Sequence, residues 1–343
     1  QAYAQRDERL AGRAGFTTLD LGCDQDPWWI AYRLVSLQPD VVGFSVTCWN
    51  ARAVYDTCRI VHLALPETII VLGGPEVGPI AEDVLAAHPS VHAIVRGEGE
   101  ETFAELLHML LKGGKVWKVE GVTARRDGLV TSAPDRPPIA DLDTIPSPYS
   151  TGVLVPMDGA TYIETSRGCP HRCAYCYEGK GIQRVRSFGQ ERITADIEAV
   201  ATYPGITNFS FIDSVFNLTD SRVEMLASIM APHAARGVRL HTIEVDIERV
   251  DDRQAELLRA SGVISVETGP QTVGADALKA CERAFDRERF TQGVYACKRA
   301  GISVECDLIV GLPHDTIEDF LEGLRFVVAL DPGKIQFSTL HVL

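Results

Sequence analysis

The sequence contains 343 residues, of which 45% are apolar and 23% are charged, which is enough for about two packed domains and excludes a disordered chain. Its formal net charge of −14 disfavours nucleic acid or an anionic membrane as the main partner. No apolar run reaches the roughly 18 residues that a membrane span needs, and no export signal is found, so a cytoplasmic protein is expected.

The nine cysteines are an odd number, which in a chain of this length favours reduced thiols or metal ligands over a disulfide framework. The chain begins at Gln1 and stops at Leu343 inside an apolar run. We therefore expect a fragment of a longer protein.

Residues 1–131 are predicted to form a doubly wound α/β domain of the Rossmann or flavodoxin type. Apolar runs alternate there with amphipathic helical patterns, which is typical of a parallel sheet covered on both faces. A hairpin that turns at Asp127-Gly128 completes the domain. The predicted strands are Val41–Val46, Thr68–Leu72 and His92–Val95.

A proline-rich segment, residues 132–158, is predicted to be a linker, and the alternation of strands and helices restarts after it. Six strand-then-helix steps, of which the last lacks its helix, predict a partial (β/α)6 TIM-type barrel over residues 159–343. Thr316 with Asp319 three residues later predicts a capping box at a helix start. In such barrels functional groups lie at the carboxyl ends of the strands. The predicted strands lie near residues 162–165, 207–212, 240–246, 263–267, 302–309 and 334–340.

Three closely spaced cysteines, Cys169, Cys173 and Cys176, follow the first strand of the second domain. Three such thiolates can hold one 4Fe-4S cluster and leave one iron without a protein ligand. Buried structural cysteines or a zinc knuckle are the alternatives. The spacing, with an aromatic residue before the last cysteine, resembles that of the radical S-adenosylmethionine (SAM) superfamily. The resemblance implies that the amino and carboxylate groups of SAM bind the open iron.

The same resemblance implies contacts to SAM from residues at the later strand ends. Asp213 and Ser214 end the second strand, where the superfamily contacts the methionine part of SAM, and Gln271 ends the fourth, where ribose or carboxylate contacts arise. Ile309, at the end of the fifth strand, would support the adenine, and backbone groups near Tyr175 would read the adenine edge. Ordinary strand-end polarity is the alternative explanation for Asp213 and Gln271.

Glu267 belongs to the segment Glu-Thr-Gly-Pro-Gln-Thr, where the related pattern is Glu-x-Gly-Leu-Gln-Ser. By the resemblance its carboxylate can contact SAM, contact the substrate, or occupy the fourth iron site and so suppress reductive cleavage of SAM. A buried ion pair is the alternative. Glu267 and Asp213 are the predicted catalytic residues.

Short glycine turns follow the strands of the first domain, and ahead of a radical SAM barrel this pattern resembles the cobalamin-binding domain of the class B family. Gly73 and Gly74 would let the backbone approach a bulky ligand, while Ser45 and Thr47 would hydrogen-bond its tail. A flavodoxin-like nucleotide site or plain tight turns are the alternatives. The residues that the resemblance assigns to cobalamin are Ser45, Thr47, Trp49, Gly73, Gly74, Pro75, Glu76, Gly97, Glu98, Gly99 and Glu100.

No Asp-x-His-x-x-Gly motif is present, so this chain does not supply the histidine ligand of other cobalamin folds. Trp49 is the candidate for the residue against the lower face of the cobalt, and core packing is its alternative role. The other cysteines lack ligand spacing and are expected to be small buried hydrophobes. They are Cys23, Cys48, Cys58, Cys281, Cys297 and Cys306.

Together these resemblances imply a cobalamin-dependent radical SAM methyltransferase that moves a methyl group from SAM, through methylcobalamin, to a carbon of a small molecule. A non-radical variant resembling the tryptophan 2-methyltransferases is one form of this hypothesis. The alternatives are a non-methylating rearrangement, cyclisation or oxidation, and a non-catalytic cobalamin or iron–sulfur sensor. The implied partners are a small-molecule substrate and an external electron donor such as flavodoxin or ferredoxin, with no nucleic acid and no membrane.

Overall fold

The structure is a computed structural model that describes residues 1–22, 24–178 and 184–340. It divides into two compact units, Gln1–Ile139 and a second unit that begins at Ala140. The division falls inside the segment 132–158 that was predicted as a linker. Within the described ranges no helix combines the length and the apolar character needed to cross a membrane.

The first unit contains a five-stranded sheet whose strands lie in chain order. Its strands are β1 Val41–Ser45, β2 Ile69–Gly73, β3 Ala93–Val95, β4 Val122–Arg126 and β5 Leu129–Ser132. The first three are parallel, as predicted. The hairpin predicted at Asp127-Gly128 is also confirmed, and it extends the sheet because β4 pairs antiparallel with β3. The sheet is therefore mixed rather than purely parallel.

Helices cover both faces of this sheet, as a doubly wound domain requires. They are α1 Ala2–Arg6, α2 Pro27–Leu37, α3 Ala51–Ala64, α4 Ala81–Ala87 and α5 Gly99–Leu111. Cys58 of α3 belongs to the buried cluster that contains Leu72, whereas Leu106 of α5 belongs to the cluster that contains Val71. Successive residues of β2 thus point to opposite faces. The helix α2 begins at an N-cap, because the Asp26 carboxylate accepts a hydrogen bond from the Trp28 backbone N–H at 2.7 Å.

The segment that follows β5 is fastened to the first unit. The Arg96 guanidinium donates to Asp135 Oδ1 from Nε at 3.0 Å and from Nη2 at 2.8 Å. Arg136 Nη2 donates to Glu105, and the Ile139 backbone N–H donates to Glu98 Oε2 at 2.6 Å. The first part of the predicted linker is therefore part of the first unit and not a free connection.

The second unit contains a sheet of six parallel strands that follow one another in chain order. The strands of the second unit, including two that lie outside this sheet, are β6 Tyr162–Ile163, β7 Ser166–Arg167, β8 Arg186–Ser187, β9 Asn208–Phe211, β10 Arg239–Glu244, β11 Val263–Gln271, β12 Ser303–Val310 and β13 Lys334–Thr339. β7 and β8 form a separate antiparallel pair. In the six-stranded sheet β6 and β13 are the two edges, so the predicted partial barrel is confirmed as an open one.

Helices alternate with these strands, as the sequence pattern predicts. They are α6 Gln190–Ala201, α7 Asp220–Ala235, α8 Asp252–Ala260, α9 Ala275–Ala280, α10 Arg287–Arg299 and α11 Ile317–Ala329. The capping box at the start of α11 is confirmed, because Thr316 and Asp319 exchange side-chain-to-backbone hydrogen bonds.

One face of the second sheet is packed under helices and the other carries polar side chains. In β12 Val304, Cys306 and Leu308 are buried, and Leu308 lies beside α11. Glu305 and Asp307 alternate with them and therefore point to the opposite face. The polar face at the carboxyl ends of the strands is where the fold places a functional site.

Candidate functional site

The three motif cysteines lie on one loop that follows β7, and we call residues 168–176 the cysteine loop. All three are free thiols, with Cys173 buried and Cys169 and Cys176 partly exposed. Burial raises the pKa of Cys169, and the neighbouring thiols of Cys176 and Cys173 add to the effect. Across the described ranges no three His, Cys, Asp or Glu side chains are drawn together as a ready-made metal site. The donor set itself, three free thiols on one loop, fits an iron–sulfur cluster.

Asp213 braces the chain just ahead of the cysteine loop. Its carboxylate is buried and accepts hydrogen bonds from the backbone N–H groups of Thr165 at 2.7 Å and Ser166 at 2.8 Å. The Thr165 hydroxyl also donates to it, and Arg222 Nη2 of α7 donates at 2.9 Å. Both carboxylate oxygens thus accept hydrogen bonds from groups inside the protein. This arrangement supports a structural role for Asp213, whereas the sequence predicts a catalytic one.

A second brace reaches the middle of the cysteine loop. His171 Nε2 lies 3.4 Å from a carboxylate oxygen of Asp246, which follows β10. The backbone of Asp246 is held by the fully buried Asn217, whose Oδ1 accepts from Asp246 N at 2.8 Å and whose Nδ2 donates to Asp246 O at 2.9 Å. The end of β10 and the cysteine loop are therefore linked.

A third brace comes from the segment between α9 and α10. The Cys281 carbonyl accepts a hydrogen bond from Ala174 N at 2.9 Å. Arg283 Nη1 lies 3.4 Å from Cys173 Sγ and 3.3 Å from the Tyr175 hydroxyl. Tyr175, the residue predicted near the adenine, is half-buried, and burial raises the pKa of its hydroxyl.

A row of carboxylates crosses the polar face of the second sheet. Glu244 of β10 pairs in register with Glu267 of β11, and Glu267 pairs with Glu305 of β12. Glu305 accepts a hydrogen bond from Lys334 Nζ at 2.8 Å. Because paired residues of neighbouring strands lie on the same face, Glu267 sits between two other carboxylates.

This crowding changes the acidity of two groups. Burial and the Glu267 carboxylate raise the pKa of Asp307 to about 7, and Asp307 shares a hydrogen bond with Glu267. Burial and Glu267 likewise raise the pKa of Glu244 to about 7. Glu244 as a residue is exposed to solvent, although protein atoms surround its carboxyl group closely enough to raise the pKa. The predicted residue Glu267 thus lies between two carboxyl groups that hold protons near neutral pH.

The remaining residues predicted to contact SAM lie at the same strand ends. Gln271 has a backbone φ of +64°, and the register between β11 and β12 shifts between Thr268 and Gln271. Ser214 follows β9, and Ile309 is the partly exposed residue that pairs with Ser338 of β13. Their contacts to SAM stay predictions.

A cavity of about 430 Å³ opens at the carboxyl ends of β1 and β2 in the first unit. Its volume is in the range of small-ligand sites. Of the residues assigned to cobalamin, Ser45, Gly73, Gly99 and Glu100 line it, and Gly43 contributes bare backbone. A Cβ atom built on Gly43 would lie 3.7 Å from Phe103, and one built on Gly73 would lie 3.6 Å from Val95, which are ordinary contact distances. The volume of the cavity and the bare backbone in its lining suit part of a bulky cofactor, such as its tail.

The other residues assigned to cobalamin lie outside the lining of this cavity. Thr47 Oγ1 and Glu76 Oε2 are buried without a hydrogen-bond partner among the described residues. Glu98 accepts a hydrogen bond from the Ile139 backbone N–H, as described above. Trp49 follows β1 and is 71% exposed, so the alternative prediction that Trp49 packs in the core is wrong. The others are Gly74, Pro75 and Gly97.

The six cysteines without ligand spacing behave differently from one another. Cys58, Cys281, Cys297 and Cys306 are buried, as predicted. Cys48 is exposed, so the prediction is wrong for it. It lies in the turn after β1, where the chain has left the sheet. Cys23 lies outside the described residues.

Three residues of the site were missed from the sequence. Glu244 ends a predicted strand and could have been found from that position alone. Asn217 and Arg283 lie in connections, and their roles depend on contacts with segments 29 and 110 residues away. No local pattern in the sequence marks such contacts.

Two family models match the chain. The model of the radical SAM superfamily matches residues 163–327, and that of the B12 binding domain matches residues 8–107. An uncharacterized methyltransferase of Pyrococcus horikoshii is 27% identical, over 90% of this chain and 68% of that protein.

Other relatives are longer than this chain. The cobalamin-dependent radical SAM methyltransferase TokK of Streptomyces tokunonensis is 28% identical, over 94% of this chain and 49% of that protein. The anaerobic magnesium-protoporphyrin IX monomethyl ester cyclase of Rubrivivax gelatinosus is 27% identical, over 94% of this chain and 59% of that protein.

A solved structure shares the fold. The cobalamin-dependent SAM radical enzyme OxsB, with aqua-cobalamin and SAM bound, matches with a TM-score of 0.76 and 18% identity. The match covers 95% of this chain and 48% of that one. The chain therefore spans about half the length of TokK and of OxsB.

Proposed function

The chain belongs to the radical SAM superfamily and carries a B12-binding domain ahead of its radical SAM domain, and from this premise we propose that it is a cobalamin-dependent methyltransferase. The methyl group comes from SAM and is delivered to a carbon of a small molecule. The bound cluster supplies electrons to SAM, and the bound cobalamin carries the methyl group. The observation that carries the proposal is the set of three free thiols on one loop in a chain that also holds a B12-binding domain.

Cys169, Cys173 and Cys176 hold the cluster in this proposal. The three braces support it, because they hold the loop and the chain just ahead of it from the residues that follow β9 and β10 and from the segment between α9 and α10. Cys169, Cys173 and Cys176 remain free thiols. Asp213 accordingly acts as a positioning residue for the loop and not as an acid or base.

The carboxylate row supports a site for SAM, which carries positive sulfonium and ammonium groups. Glu244, Glu267 and Asp307 lie together on this face, and a bound cation would favour the ionised form of carboxyl groups whose pKa is about 7. Glu267 orients the cationic part of SAM or of the substrate, and Asp307 keeps a proton on the hydrogen bond that they share. Tyr175, Ser214, Gln271 and Ile309 complete the site in this proposal.

The first unit binds cobalamin through the cavity at the ends of β1 and β2. Ser45 hydrogen-bonds the tail of the cofactor, and Gly73 and Gly99 let it approach the backbone. Trp49 is exposed in the turn that follows β1 and would be available to pack against the bound cofactor on the side of its lower cobalt face. Thr47, Gly74, Pro75, Glu76, Gly97, Glu98 and Glu100 shape the surrounding turns.

The proposal also includes an external electron donor, such as flavodoxin or ferredoxin, and a cytoplasmic location. Eight of the nine cysteines are in the described part of the chain, and these are free thiols, which supports a reducing compartment.

The test uses anaerobically reconstituted full chain, reduced cobalamin and SAM labelled in its methyl group. We expect iron–sulfur and cobalamin absorption bands, formation of S-adenosylhomocysteine, and label that co-elutes with cobalamin. Absence of cobalamin bands after reconstitution would overturn the proposal. The variant Gly73→Val, which places a side chain in the cavity wall, tests the cobalamin site separately from the cluster. It should lose the label on cobalamin while keeping the iron–sulfur band.

A second candidate is a non-methylating reaction such as a cyclisation. The cyclase of Rubrivivax gelatinosus, which matches 94% of this chain, favours it. In the same assay this candidate gives 5′-deoxyadenosine from SAM with neither S-adenosylhomocysteine nor label on cobalamin.

A further inference from the structure

Arg283 is a cation placed directly against the cysteine loop. The segment 281–283 follows α9, and it contacts three consecutive loop residues. The Cys281 carbonyl accepts from Ala174 N at 2.9 Å, while Arg283 Nη1 reaches Cys173 Sγ at 3.4 Å and the Tyr175 hydroxyl at 3.3 Å. Arg283 Nη2 also donates to the Gly269 carbonyl at 2.6 Å, near the end of β11.

No carboxylate of the described residues lies within ion-pair distance of Arg283, although Glu248 is close enough for its charge to interact with the guanidinium. None of the ion pairs found there includes Arg283, and its hydrogen-bond acceptors are a thiol, a phenol and a carbonyl. Its Nε is buried and has no hydrogen-bond partner among residues 1–22, 24–178 and 184–340. A guanidinium stays protonated in proteins, and a largely buried charge normally has a counter-charge. Of the two ionisable groups that Arg283 Nη1 contacts, the Tyr175 hydroxyl and the Cys173 thiol, Cys173 is the one that would be a thiolate when it ligates a cluster.

We propose that Arg283 is the counter-charge and N–H donor of the cluster ligand Cys173, and that it sets the reduction potential of the cluster. The inference rests on the proposed function only in taking Cys173 as a cluster ligand. Arg283 is thus a positioning residue that acts through Cys173 and not through the reacting atoms of SAM.

The expected effect on the potential follows from electrostatics. A cluster gains one negative charge when it accepts an electron, so a neighbouring cation stabilises the reduced form more than the oxidised form. A hydrogen bond to a ligand sulfur acts in the same direction, because it withdraws charge from the cluster. Both effects make the wild-type cluster easier to reduce than one that lacks Arg283.

The test compares full-length wild type with Arg283→Met, which keeps most of the side-chain length but removes charge and donors, and with Arg283→Gln, which keeps an amide donor. Each protein is reconstituted anaerobically, its iron and sulfide are counted, and the midpoint potential is measured by redox titration followed by electron paramagnetic resonance. We expect a more negative midpoint for Arg283→Met and an intermediate one for Arg283→Gln, at equal iron content.

The matched control is Arg289→Met, which removes an exposed arginine of α10 and should leave the midpoint unchanged. If Arg283→Met does not retain its iron, Arg283→Gln decides the question. A wild-type midpoint in either Arg283 variant that retains its iron would overturn the proposal. A wild-type chain that forms no cluster would instead contradict the proposed function, so the two failures are distinguishable.

Discussion

At the scale of single residues, Asp213 and Glu267 show how the surroundings decide what a carboxylate does. The sequence places both at the end of a predicted strand and predicts a catalytic role for both. Asp213 is surrounded by donors from Thr165, Ser166 and Arg222. Glu267 is surrounded by other acids, Glu244, Glu305 and Asp307. In the second environment burial and the Glu267 carboxylate raise the pKa of Glu244 and of Asp307 to about 7.

Glu244 makes the stability of the second unit depend on pH. Its pKa is raised in the fold to about 7 by burial and by Glu267, so between its ordinary value and about 7 the unfolded chain has released the proton while the folded chain keeps it. Its contribution to stability is therefore complete at acidic pH and lost as the pH rises through about 7. Glu244→Gln removes this loss.

We expect Glu244→Gln to raise the melting temperature at pH 8 by about 2–4 °C, which corresponds to about 1 kcal/mol for a side chain that is partly screened by solvent. At pH 5 it should have little effect. The measurement is thermal unfolding without added cofactors. Glu256→Gln, on the exposed face of α8, is the control and should be neutral at both pH values. An equal shift at pH 5 and pH 8 would contradict the assignment.

At the scale of elements, the turn after β2 depends on one glycine. Gly74 has a φ of +114°, and a Cβ atom there would clash with the Val46 carbonyl oxygen and lie 2.8 Å from Val46 N. The backbone of the turns after β1 and β2 is therefore in direct contact, and Glu76 N donates to Val46 O at 3.3 Å. The sequence predicts close approach at Gly74, but it assigns that approach to a ligand.

Gly74→Ala is expected to destabilise the first unit by more than the ~1–3 kcal/mol of an unfavourable φ alone, because neither backbone can yield. Urea unfolding measures the loss. Gly128→Ala is the matched control, since Gly128 has a φ of +82° in the hairpin turn but open space around its Cβ position. Equal losses for the two variants would mean that the contact with Val46 adds nothing.

At the scale of the whole molecule, the unit boundary lies where hydrogen bonds change partners. The sequence places the end of the first domain at residue 131, where the hairpin ends and prolines begin. In the structure Asp135, Arg136 and Ile139 are still bonded to the first unit, which ends at Ile139. Proline content marks the absence of regular structure but not the absence of tertiary contacts.

A fragment of residues 1–139 should therefore unfold at higher urea than a fragment of residues 1–131. The expected difference is about 1–2 kcal/mol, because the longer fragment keeps the hydrogen bonds of Arg96 and Arg136. Arg136→Met in the longer fragment is the control and should remove part of the gain. Identical midpoints for the two fragments would place the boundary back at residue 131.

The order of elements, the open barrel, the hairpin and the loop that carries three cysteines could be predicted without a structure, because they depend on periodicity and spacing along the chain. The tertiary structure alone decided that Asp213 is a brace, that Glu267 sits in a row with Glu244 and Glu305, and that Arg283 lies against Cys173. These roles depend on strand register and on contacts between segments up to 110 residues apart. Hydrophobic periodicity specifies which elements form, whereas the environment of a charged group depends on what packing brings next to it.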